Sequence, residues 1–275
     1  MKKKNIKSIL LTLLALVIGL IFVFPIIWTF FSSLKPKTEL FSNNITFISA
    51  NSSFDSYVSV MKDGFIRYIG NSFIIAVLGT LLSVVISATC GYALAVYRHD
   101  VKSVNKIFAY FLLGTLVPGE VIIVPQVTVI SELGLYNSLL GVILPAVTTT
   151  TGIFMYRQFY MSVPLELAES ARIDGANEFM IFIRIMFALS SSVTVSLILF
   201  SFMWRWNDYI LPLLILSDQK QYTIQIAIKS YIGMYQTDWL KILAASIISI
   251  VPIVVLYVCL QKHIVNSAVS SGLKG

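Results

Sequence analysis

The chain has 275 residues, is 57% hydrophobic and only 12% charged, and carries 18 Phe and 13 Tyr. A soluble domain averages about 25% charged residues, whereas several runs here approach the 20 or so apolar residues that a helix needs to cross a bilayer of about 30 Å. A soluble globular protein is excluded, and the +7 net charge is spread along the chain without a basic stripe, which argues against nucleic-acid binding.

The first apolar run, Ile9 to Phe31, follows Lys2, Lys3, Lys4 and Lys7. A signal peptide would have a shorter apolar region and a small-residue cleavage site, so this run reads as a retained helix over 9–33 that tolerates Pro25. Apolar runs and breakers predict five more helices near 69–97, 105–128, 138–158, 187–214 and 242–262. The third is interrupted by Pro118-Gly119 and Pro125 and does not read as one rod. The fourth carries Thr148 to Thr151, whose hydroxyls can bond back to the helix. Cys90 and Cys259 lie in apolar segments without CxxC spacing, so neither a disulfide nor a metal site is expected. His99 and His263 fall at helix ends and read as interfacial, and no internal repeat is evident.

Orientation follows from lysines and arginines in the connections. With the N-terminus inside, segments 1–8, 98–106, 157–186 and 262–275 hold twelve basic residues, against eight in the longer outside segments 34–68, 129–137 and 205–241. Both termini are expected in the cytoplasm. The chain divides into a first helix with an external loop (1–68), a membrane core (69–260) holding a cytoplasmic loop at 159–187, and a cytoplasmic tail (261–275).

That loop contains "VPLELAESARIDGANEF", residues 163–179, with Glu166, Glu169, Arg172, Asp174 and Glu178. Four acidic side chains at the centre of a span would cost on the order of 10 kcal/mol, so the segment stays out of lipid. It reads as helix, turn, helix. Ser162 is a candidate cap, Pro164 suits a first turn, and Glu166 favours the positive helix end. Asp174-Gly175 supplies a C-terminal stop, after which Asn177 caps the next helix. Pro164, Ala168, Ala171 and Gly175 recur at spacings of 4, 3 and 4 and form a stripe of small residues that another surface can approach, flanked by Glu169 and Asp174. A helix lying on lipid headgroups would need lysines and large apolar residues, so a protein dock is the better reading.

These residues carry a resemblance. "ELAESARIDGANEFMIFIRI" resembles the EAA loop of binding-protein-dependent ABC importer permeases, with Glu169-Ser170-Ala171 at the EAA triplet and Gly175 at its glycine. "NSFIIAVLGTLLSVVISATCGYALA" (71–95), "GLYNSLLGVILP" (134–145), "WNDYILPLLIL" (206–216) and "SSGLKG" (270–275) are similar to the MalG-type permeases of sugar importers. The resemblance implies an all-α, six-span type I importer fold. It also implies that the loop is a coupling helix (163–176) that meets a cytoplasmic ATPase through Glu166, Ala168, Glu169, Ala171, Asp174 and Gly175. The implied partners are a second permease, two ATPase subunits that bind ATP and Mg, and an extracellular solute-binding protein facing the stretch 217–240. The family's prolines after the loop are replaced by Phe187-Ala188 and Ser192, so a straighter approach to the fifth helix is expected.

The chain has no GxxxxGK[ST] phosphate loop and no recognisable catalytic constellation, so it is expected to hydrolyse nothing and to bind no cofactor itself. Polar residues at membrane depth mark functional candidates. Glu120 follows the Pro118-Gly119 break, where free backbone groups line cavities, and Trp204, Trp206, Asn207, Asp208 and Tyr209 combine aromatic faces with polar groups suited to sugar rings. Interfacial aromatic residues are the competing reading for this cluster. The competing functions are a stand-alone ion-coupled transporter, for which neither inverted repeats nor an ion site is found, an intramembrane enzyme, and an importer permease for a non-sugar solute.

Overall fold

The computed structural model describes residues 6–42, 46–233 and 235–272, with side chains for 7–42, 46–233 and 235–263. Lys2 to Lys4 and the end of the "SSGLKG" tail lie outside the described residues. Within them the chain is helical, and the only bridge between extended residues pairs Ile232 with Thr237.

In chain order the helices are α1 (Ile6–Ser33), α2 (Lys37–Leu40), α3 (Asp55–Lys62), α4 (Phe65–Val96), α5 (Val104–Gly114), α6 (Gly119–Glu132) and α7 (Leu139–Ile143). They continue with α8 (Thr150–Ser162), α9 (Glu166–Ile173), α10 (Glu178–Met180), α11 (Ser191–Asn207), α12 (Ile210–Ile215), α13 (Ile224–Ser230) and α14 (Trp239–Gly272). A 3₁₀ turn, Leu144–Ala146, extends α7, and a π-helical stretch, Ile181–Phe187, extends α10.

Stretches within α1, α4 and α14 are each long and apolar enough to cross a membrane alone. Three bent pairs reach that length only together: α5 with α6 at 100°, α7 with α8 at 41°, and the α10–π segment with α11 at 80°. α1 is apolar all round and exposes Leu10, Leu20 and Phe22, as a helix solvated by lipid does. The 100° turn falls at Pro118, which has no N–H to continue α5, while Pro125 is absorbed within α6.

The expected straight approach to the fifth span is not what the chain forms. An 80° bend forms there without proline, between the π-helical stretch and α11, and Ser190 stands in it: its hydroxyl donates to the Phe187 carbonyl at 2.8 Å, and its N–H reaches Phe187 and Met186. The expected helix over 187–214 is likewise split, since α11 ends at Asn207 and α12 begins at Ile210. The final helix continues to Gly272, beyond the expected 262.

The residues form two compact units, 1–66 with 227–251 and 67–226 with 252–275. In the first, Asp63 accepts from Lys241 Nζ at 2.8 Å and from the Tyr231 hydroxyl at 3.1 Å, and Phe41 packs edge-on to Trp239. In the second, one core gathers Tyr92, Tyr156, Tyr160, Ile181 and Leu197, and another gathers Ile75, Ile130, Val142, Leu211 and Ile215. α4 and α8 meet at Gly91, where a Cβ would sit 2.6 Å from the Tyr156 Cβ. Small residues allow such close approach between spans, where lipid is as apolar as leucine and the packing itself supplies the attraction. Next to Tyr156 in α8, Arg157 is buried with its guanidinium 4.0 Å from the Phe108 ring centroid, donating to the Leu94 carbonyl and to Asn105 Oδ1.

Candidate functional site: a polar cavity and an acidic loop

The acidic loop is built by local backbone chemistry. The Ser162 hydroxyl donates to the Phe159 carbonyl at 2.7 Å, so Ser162 finishes α8 and does not cap α9 as the sequence suggested. At the other end Gly175 has φ +86°, Gly175 N donates to the Arg172 carbonyl, and Ala176 N donates to the Ala171 carbonyl. This paired closure uses a left-handed residue that glycine adopts without a Cβ penalty. Asn177 Oδ1 then accepts from Met180 N at 2.9 Å, capping α10 as its sequence position suggested.

The small-residue stripe is not an open dock. Ala168 is buried beside Tyr92, Tyr160 and Ile181 and Ala171 is half-buried against the same core, so the chain covers much of its own stripe. The outward face holds Glu166, Leu167, Glu169, Ser170, Ile173 and Asp174, and Ile173 is 87% exposed. A partner would therefore meet two apolar side chains ringed by three carboxylates. Pro164 and Gly175 are exposed at the two ends.

Glu178 has a role that its place in a charge run did not reveal. Its Oε1 accepts from Arg172 Nε at 2.6 Å, and its Oε2 accepts from the Tyr92 hydroxyl at 2.8 Å and from the second Arg172 nitrogen at 3.3 Å. The bonds to the Glu178 carboxylate raise the Arg172 pKa above its ordinary value.

The second feature is an open cavity of about 650 Å³, lined by Gly119, Glu120 and Gln126 of α6, by Pro145 and Ala146, and by Asn207, Asp208, Tyr209 and Ile210. Glu120 and the Asn207–Tyr209 group thus share one space, although 87 positions separate Glu120 from Asn207. Each stands at a helix break, where α6 begins and where α11 gives way to α12. The cavity offers carboxylates, an amide, a phenol and backbone groups on an apolar frame, which is the chemistry that holds a polyhydroxylated solute. Neither tryptophan joins it. Trp204 is exposed and stacks on Phe200, and Trp206 is 1% exposed and stacks on Phe202 at 5.5 Å.

Arg205 escaped the sequence reading. It is buried, and its guanidinium donates to the Ser201 carbonyl at 3.0 Å, to Ser201 Oγ and to the Ala146 carbonyl, while its Nε has no hydrogen-bond partner among the described residues. The Ala146 carbonyl lies where the 3₁₀ turn stops before α8, so no helical N–H follows to satisfy it. Arg205 takes that place. A basic residue inside an apolar run is itself a functional signal.

The description of a family model, binding-protein-dependent transport system inner membrane component, matches residues 87–268. The chain is 31% identical to the arabinooligosaccharides transport system permease protein AraQ of Bacillus subtilis, covering 98% of this chain and 97% of that one. It is 32% identical to the sn-glycerol-3-phosphate transport system permease protein UgpE of Escherichia coli, covering 93% and 94%. The fold is similar to that of a chain from the crystal structure of a bacterial ABC transporter involved in the import of the acidic polysaccharide alginate, with a TM-score of 0.79 at 19% identity over 95% of this chain and 98% of that one. With its apolar helices and near full-length relatives, the chain is a multi-pass permease of the cell membrane, and it belongs to the binding-protein-dependent transport system inner membrane components.

Proposed function

We propose that this permease forms one half of the gate of an ATP-driven importer and passes an oligosaccharide delivered by an extracellular binding protein. The bent helix pairs each make one crossing, giving six spans with both termini in the cytoplasm. A second permease completes the gate, and two ATPase subunits bind ATP and Mg and act on the loop around α9. The observation that carries the solute reading is the polar cavity shared by Glu120, Asn207, Asp208 and Tyr209. Relatives named for arabinooligosaccharide transport support the oligosaccharide class. The outward face of α9 supports ATPase contact, because Leu167 and Ile173 are apolar side chains left in water.

A second reading is import of a phosphorylated polyol, favoured by the relatives named for sn-glycerol-3-phosphate. Reconstitution of the whole importer in proteoliposomes decides between them. Uptake of labelled arabinooligosaccharide that unlabelled glycerol 3-phosphate does not compete supports the oligosaccharide; the reverse competition supports the phosphate, and uptake without ATP sinks both.

A further inference from the structure

Glu178 joins three elements that are separate in the chain. Arg172 belongs to α9, Glu178 opens the segment leading to α11, and Tyr92 stands on the last turns of α4, more than 70 positions earlier. α9 is tied through the backbone to α8 before it and α10 after it; among the described residues it meets α4 through packing on Tyr92 and through this carboxylate. Both carboxylate oxygens are engaged, one by Arg172 and the other by Arg172 and Tyr92 together, and the hydroxyl of Tyr97, one residue past α4, also interacts with this carboxylate and with Arg172. On the α4 side the connection is stiff. Tyr92 is buried, with its ring edge-on to Tyr97 and Tyr160 and 5.3 Å from Phe182. A hydroxyl held by such a ring cannot follow a moving carboxylate by rotating away, because the tyrosyl oxygen lies on the ring axis.

We infer that Glu178 is a positioning residue which links the coupling helix α9 to α4 through the Tyr92 hydroxyl, so that displacement of the loop is delivered to the second span as well as to the fourth and fifth. The inference rests on the reading of α9 as the ATPase contact. Charge-assisted hydrogen bonds are the strong and directional ones, so a carboxylate bonded to both an arginine and a buried phenol holds the two elements at a fixed separation and register. Apolar packing also resists separation but is non-directional and lets the packed surfaces slide.

The test uses the complete importer in proteoliposomes with its binding protein and a solute it carries. Tyr92→Phe removes one oxygen and leaves the aromatic packing in place, and Glu178→Gln keeps the shape but weakens both bonds. The readout is solute moved per ATP hydrolysed. The expected result is a fall of about tenfold in that ratio for either variant, the scale of losing a hydrogen bond to a charged group, with solute-stimulated ATP hydrolysis retained. An unchanged ratio, or transport and hydrolysis falling in proportion, overturns the inference and leaves Glu178 a structural residue. Cross-linking of Ile173→Cys to the ATPase tests the underlying reading separately: a cross-link with an unchanged ratio sinks the α4 link alone, and no cross-link in the otherwise wild-type importer sinks both.

Discussion

The guanidinium of Arg205 lies directly over Gly79, so that a Cβ at residue 79 would run into its Nε and Cδ. α4 makes room for the arginine that satisfies the Ala146 carbonyl. Gly79→Ala should therefore displace Arg205, at a cost of about 1–3 kcal/mol for the unpaired buried groups, and lower the melting temperature of the purified protein. A melting temperature equal to wild type would mean that Arg205 has a second resting place.

Glu120 and Asp208 stand on one cavity, and each is expected to contact solute. Glu120→Gln and Asp208→Asn should each raise the apparent KM for uptake by about tenfold, with membrane levels and assembly unchanged. Trp204→Ala should leave KM as it is, because that ring stacks on Phe200 and lies off the cavity lining. Initial-rate uptake measurements separate the two groups.

The two faces of α9 should respond in opposite ways. Ala168→Leu overfills a closed core, at a cost of about 1–3 kcal/mol, and should reduce the amount of folded protein. Ile173→Ser changes an exposed side chain, so the permease should accumulate normally but lose its ATPase on co-purification. Equal ATPase recovery with Ile173→Ser would place the contact elsewhere on the loop.

Gly175 is constrained by backbone conformation and not by crowding, since nothing lies within 4 Å of an added Cβ and φ is +86°. Gly175→Asn should therefore be tolerated, because asparagine visits the left-handed region. Gly175→Val should cost about 1–2 kcal/mol or more and turn the loop out of register. ATP hydrolysis stimulated by the binding protein distinguishes the two: near wild type for the first, largely lost for the second.

Backbone chemistry was the legible part of the sequence. Pro118-Gly119 separates α5 from α6, Asp174-Gly175 ends α9 and Asn177 caps α10, because each of these signals acts within a few residues. The small stripe misled because spacing shows that Ala168 and Ala171 share a face but not what covers it, and the covering residues, Tyr92 and Ile181, come from other helices. Missing prolines suggested a straighter approach to the fifth helix, yet an 80° bend forms where the π-helical stretch meets Ser190, because proline is one way among several to interrupt a helix. Tyr209 and Asp208 were found together with Glu120, while Trp206 went to the core through stacking on Phe202. Arg205 and Glu178 stayed hidden because their partners, Ala146 and Tyr92, lie 59 and 86 positions away.

The π-helical stretch Ile181–Phe187 stores spare chain length. Its hydrogen-bonded rings close over one residue more than α-helical rings do, so a one-residue deletion inside 181–187 can be absorbed by tightening to the α form. The same deletion within α11 has no such reserve and would rotate everything beyond it by about 100°, carrying Arg205 away from Ala146 and Trp206 away from the core. Tolerance of length change along this span is therefore local: seven residues beside the loop can give up one position, and the 17 that follow cannot.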